Sequence, residues 1–150
     1  MPTFGYVSLR LLDTGDAIGA EGADLRFDAS VEVDTLSGHG TFAATVEVIS
    51  RFTQHLDDLA ERLTPSARLE CGLVAEDERI SYFSCQIERI YTPVEFAAQV
   101  SLGTAGPQGV MHRLHVGLQL EPKSVATFRR ELQDILIRGS GIATLGARPE

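Results

Sequence analysis

Alternation of apolar and polar residues dominates the chain. Phe4 to Leu12 reads as a first strand, and Asp13 to Gly22, rich in Gly, Asp and Ala, as a loop. From Leu25 the alternation is regular. Leu25, Phe27, Ala29, Val31 and Val33 fall on one side, and Arg26, Asp28, Ser30, Glu32 and Asp34 on the other, as in a strand with one buried and one wet face. Ser37-Gly38-His39-Gly40 is expected to turn the chain into a further strand, Thr41 to Ile49. Ser50 then offers a helix N-cap, followed by Phe52, Leu56, Leu59 and Leu63 at helical spacing, with Thr64-Pro65 ending the helix.

A second set of strands follows. Leu69, Cys71 and Leu73 alternate with polar or small residues, as do Phe83, Cys85 and Ile87. A fold about Glu78 would set Leu73 opposite Phe83, Cys71 opposite Cys85 and Leu69 opposite Ile87. Val94 to Leu102 and Leu114 to Leu120 form another alternating pair across the glycine-rich stretch Gly103 to Gly109. Pro122-Lys123-Ser124 opens a closing helix whose apolar stripe is Val125, Phe128, Leu132, Ile135 and Leu136, with Gly139 as its C-cap. Ile142 to Glu150 reads as a loose tail that Ile142 and Leu145 could pin down. No motif repeats along the chain on this reading.

The expectation is a single α+β domain spanning 1–150. It has an antiparallel sheet of about seven strands in the order βββ-α-ββββ-α, with both helices packed on one face. A length of 150 residues with 43% apolar and 23% charged residues is enough for a hydrophobic core and argues against disorder as the default state. No stretch approaches the roughly 18 apolar residues of a spanning helix, and the N-terminus lacks the basic-then-apolar layout of a signal peptide. A cytoplasmic protein is therefore expected.

Charge narrows the partners. The net charge is −8 and Lys123 is the only lysine, so nucleic acid and anionic membranes should be repelled and a basic protein attracted. Two cysteines are too few for a disulfide framework and, lacking a Cys-x-x-Cys motif, read as small core residues. His112 and His115 are a poor metal pair, because residues three apart in a strand point to opposite faces. Neither a phosphate loop nor a dinucleotide glycine pattern is present, and no nucleophile, base and oxyanion site announce themselves together. No catalytic, cofactor-binding or metal-binding residue is therefore assigned, and the chain is read as a non-enzyme. Asp13 to Asp34 carries seven carboxylates against Arg26 alone, without the spacing of a calcium loop. Asp28, Glu32 and Asp34, extended by Asp57, Asp58 and Glu61 on the first helix, are the candidate partner-binding residues.

From Ala43 to Leu136 the order of parts resembles the WapI-type group of bacterial immunity proteins and related small uncharacterised domains. The resemblance is carried by a strand leading into the Phe52, Leu56, Leu59, Leu63 helix and by the paired strands Leu69 to Leu73 and Phe83 to Ile87. Leu114-His115-Val116-Gly117-Leu118-Gln119-Leu120 and the closing helix through Phe128, Leu132 and Leu136 complete it. Pro122-Lys123-Ser124 stands where members often carry an Asp-Gln pair. The resemblance implies an antitoxin that blocks a cognate toxin, and the acidic face would suit a basic nuclease by mimicking nucleic-acid charge. Two other readings are open. One is a small-molecule-binding domain with an apolar cavity, in which Phe27, Phe83, Phe96 and Phe128 either line the cavity or fill the core. The other is a structural or assembly subunit, whose sheet edges would permit a homodimer.

Overall fold

The computed structural model describes residues 5–14, 25–74, 80–90, 96–105 and 111–146. The element order is β1 (Gly5–Thr14), β2 (Leu25–Val33), β3 (Leu36–Ala44), α1 (Val46–Ala60), β4 (Ser66–Val74), β5 (Ile80–Arg89), β6 (Phe96–Ala105), β7 (Met111–Leu120), α2 (Pro122–Arg138) and β8 (Ile142–Gly146). The class is α+β with antiparallel pairing and two helices, as expected. The strands divide into two four-stranded sheets, β3-β2-β1-β8 and β4-β5-β6-β7. No described helix is long and apolar enough to cross a membrane.

The division has a simple cause. Val7, Leu9 and Leu11 in one sheet, and Phe83, Cys85 and Ile87 in the other, are buried members of one shared core. Each sheet thus buries only one face, and each needs the other, with the helices, to cover it. Phe42 joins them, stacking on Phe27 at 5.3 Å and on Phe83 at 4.7 Å between ring centroids. The helices meet through Phe52 and Phe128, edge to face at 6.3 Å.

Read by strand register, the chain is a duplication. β1-β2-β3-α1-β4 and β5-β6-β7-α2-β8 are the same unit, and the last strand of each pairs with the first strand of the other. The outward rung Ser8–Ser30–His39 has its counterpart in Ser84–Ser101–His115, with Tyr6 and Tyr82 one rung above. Phe52 and Leu56 correspond to Phe128 and Leu132. Corresponding residues touch each other at two places, Phe52 on Phe128 and Gly38 under Leu114, which places a pseudo-two-fold axis through both. The repeat lies in the order and pairing of the elements, not in a sequence motif. The matching residues are few and mostly polar, so hydrophobic spacing hid them.

Several boundaries also move. The β2–β3 turn is Asp34-Thr35, with Asp34 in the left-handed region at φ 54°, because the two strands pair without interruption from Leu25↔Ala44 to Val33↔Leu36. Ser37 to Gly40 therefore lies inside β3. The cap of α1 is Thr45, not Ser50: its Oγ1 accepts the Val48 N–H at 3.1 Å. The helix ends at Ala60, leaving Leu63 exposed. In the β4–β5 hairpin Leu69 faces Cys85, Cys71 faces Phe83 and Ala67 faces Ile87. That register lies two residues from the expected one, and a two-residue slip leaves the same side chains facing inward. The expected loop Asp13 to Gly22 lies mostly outside the described residues.

Ile142–Gly146 is a strand rather than a tail. β8 pairs with β1 and buries Ala143 and Leu145, while Ile142 is exposed. Its outer N–H groups are met by α2: Thr144 N–H donates to Glu131 Oε1 at 3.0 Å, and Gly146 N–H donates to Ser124 Oγ at 2.9 Å. These two bonds blunt a sheet edge that would otherwise offer unpaired backbone.

Candidate functional site

The predicted partner-binding carboxylates separate into two groups. Asp28, Glu32 and Asp34 lie along the outer face of β2 and its turn, while Asp57 and Asp58 lie on the second half of α1 and Glu61 at its C-cap. Two of the six are occupied. Asp28 is half-buried between Arg10, 3.4 Å away, and His39, whose Nε2 meets its Oδ1. Asp57 holds Arg129 Nε at 3.0 Å. The other four carry no ion pair among the described residues. Glu32 accepts the Tyr6 hydroxyl at 3.2 Å and Asp58 accepts from Gln54 at 3.2 Å. Asp34 and Glu61 stand exposed, at the turn and at the helix C-cap. A carboxylate already paired offers a partner little, because breaking the pair cancels most of the gain.

The outward histidines form a duplicated arrangement. His115 is hydrogen-bonded through Nδ1 to the Ser101 hydroxyl and through Nε2 to Gln99 Oε1, the latter at 3.0 Å. His39 in the other sheet makes the corresponding contact through Nε2 to Asp28, which holds in β2 the position that Gln99 holds in β6. A serine beside a histidine raises the question of nucleophilic chemistry. Ser101 lies in β6, which pairs with β5 and β7, so the backbone N–H groups around it are engaged in the ladders. The rung offers hydrogen bonding on an open surface and no oxyanion donors. β7 runs through His112 and His115 without a register shift, and no cluster of three or more metal-ligating side chains occurs among the described residues.

Cys71 and Cys85 are buried free thiols. Burial pushes both up to about 12, with Glu70 adding to the effect at Cys71. They remain thiols at neutral pH, which suits packing and not nucleophilic attack.

The sheets leave a cleft of about 300 Å³ where β3 lies against β5, β6 and β7. Ala29, Gly40, Phe42, Phe83, Leu102 and Leu114 form its apolar walls. His39, Tyr82, Thr104 and Arg113 stand at its rim. Arg113 Nε donates to the Tyr82 hydroxyl at 2.7 Å, with the guanidinium 5.6 Å from the ring centroid. Both side chains stand one register step from Gly103, so no side chain separates them. Of the four phenylalanines expected to line a cavity or fill the core, all are buried and only Phe83 borders this cleft.

A second groove, about 350 Å³, runs between the helices and sheet β4-β5-β6-β7, with Arg62, Arg89 and Arg129 around Phe96. Two of these arginines are structural. Arg89 donates to the Leu59 carbonyl at 2.8 Å, satisfying the end of α1, and lies 4.7 Å over the Phe96 ring. Arg129 is held by Asp57.

The cleft was not legible as a site in the sequence. Gly38 and Gly40 look like turn residues until pairing shows them inside a strand. Set against protein-family models, curated proteins and solved structures, the chain matches none.

Proposed function

We propose that this chain is a non-enzymatic immunity protein that binds and neutralises a basic protein toxin through its acidic surface. The observation that carries the proposal is the state of four carboxylates. Glu32, Asp34, Asp58 and Glu61 have no cationic partner among the described residues, in a chain of net charge −8. Their field is unspent and extends into solvent, where it accelerates encounter with a basic surface and disfavours acidic ones. Asp28 and Asp57 fall out of the contact set, since Arg10, His39 and Arg129 already hold them. The site sits in the cytoplasm in this reading, where the toxin would otherwise act on the producing cell.

The test is binding to the basic toxin domain encoded beside the gene, measured by calorimetry and by survival of cells expressing both. Glu32→Lys with Asp34→Lys, and separately Asp58→Lys with Glu61→Lys, reverse one group at a time. The proposal expects association to slow by tenfold or more in at least one variant at low salt, with the wild type losing affinity as salt rises. Wild-type affinity and protection in both variants would overturn it, as would failure of the parent protein to bind the toxin.

A further inference from the structure

We infer that the cleft between the two sheets is a binding site for a small aromatic carboxylate. The inference is independent of the acidic-surface reading, and rests on comparing the two halves of the duplication. Residues related by the pseudo-two-fold axis occupy equivalent places, so each half shows what the fold requires of the other. At the cleft, β2 and β3 carry Ala29 and Gly40. At the equivalent paired positions of β6 and β7 the chain carries Val100 and Val116, both buried. The fold accepts two valines in this setting and has them on one side only. On the other side it leaves about 300 Å³ open, a volume at the lower end of small-molecule sites.

The same comparison gives the chemistry of the occupant. Phe42 and Phe83 border the cleft and stack within 10° of parallel, where the other half has Leu118 and Val7. Flat rings beside an open space favour a flat apolar guest. Among the described residues that line the cleft, Arg113 is the one that carries a permanent charge. Tyr82 fixes it through Nε, and its terminal nitrogens have no partner among the described residues. A guanidinium with two free donors side by side is matched by a carboxylate. Gly40 is where the space can be closed without displacing backbone, since a Cβ there would meet only Leu102 Cδ1, at 3.5 Å.

The probes are naphthalene-2-carboxylate and its neutral analogue naphthalene-2-methanol, each titrated into the full chain by calorimetry. The carboxylate is expected to bind with a Kd on the order of 100 µM, tighter than the alcohol. Gly40→Val installs the residue of the other half. It should weaken both probes at least tenfold while leaving the melting temperature unchanged or raised, which separates a filled cleft from a damaged fold. Arg113→Gln, at an exposed position, should remove the preference for the carboxylate and leave the alcohol within a factor of about two. The inference is overturned if neither probe binds saturably below about 10 mM, or if Gly40→Val binds as the parent does. It is overturned equally if Arg113→Gln keeps the preference for the acid.

Discussion

Phe52 and Phe128 are the place where the duplicated architecture can be tested energetically. Both rings are 1% exposed, both lie in the shared core, and they meet edge to face at 6.3 Å with 73° between their planes. Truncating either to alanine removes a buried ring and leaves a cavity that packed helices close only in part, a cost of about 3–5 kcal/mol. The aromatic pair adds about 0.5–1.5 kcal/mol beyond the area buried. Once the first ring is gone, the second has lost that partner. If each single variant costs about 4 kcal/mol, the double variant should therefore cost about 7 kcal/mol instead of about 8. Urea denaturation of the four proteins measures this, with sulfate added to keep the double variant folded at the start of the titration. Ile137→Ala, at a side chain 82% exposed on the same helix, serves as the control and should stay within about 0.5 kcal/mol of the parent. Costs that add to within about 0.3 kcal/mol would refute the contact. A single-variant cost below about 1.5 kcal/mol at either position would refute the placement of α1 and α2 in a common core.

Two further outcomes follow from the buried groups. Cys71 and Cys85 sit near 12 in the folded chain and near 9 when unfolded, so the native state holds their protons more tightly. Their contribution is complete below pH 9 and is lost as pH rises toward 12. Stability should fall over that window by up to about 1.4 kcal/mol per pH unit per thiol. Cys71→Ala with Cys85→Ala should flatten that slope in alkaline urea melts, and an unchanged slope would contradict it. Glu131→Ala and Ser124→Ala each strip a partner from a β8 edge N–H. Each should cost about 1 kcal/mol and speed hydrogen exchange at Thr144 or Gly146 respectively; unaltered exchange at those amides would refute the capping role of α2.

Much of the local structure was open to reading because it obeys local rules. The inward set of β2, Leu25 to Val33, and the α2 stripe through Phe128 and Leu132 follow from periods of two and 3.6 residues that need no knowledge of the partner surface. Gly139 was recognisable as a cap because its φ of 70° is one that few other residues accept. The errors have physical causes too. Ser37 to Gly40 has the composition of a turn, yet ladder pairing with β2 holds it extended. Asp34, which tolerates the left-handed region, takes the turn instead. The six acidic site residues could be found as charges, but only pairing distances separate Asp28 and Asp57, already engaged, from the other four.

By itself the sequence determined most of the element types, which side of the regularly alternating strands is wet, the two apolar helix stripes and the net negative charge. These properties are set within one or two turns or rungs of chain, where periodicity and charge act directly. Tertiary structure decided that the strands form two sheets, that β8 leaves its own unit to pair with β1, and that Phe52 meets Phe128. It also decided that Gly40 borders an open cleft while Val116, at the equivalent position, is buried. Alternation states that a face must be covered and is silent on what covers it. That choice belongs to contacts between residues far apart in the chain, settled only when both halves fold together.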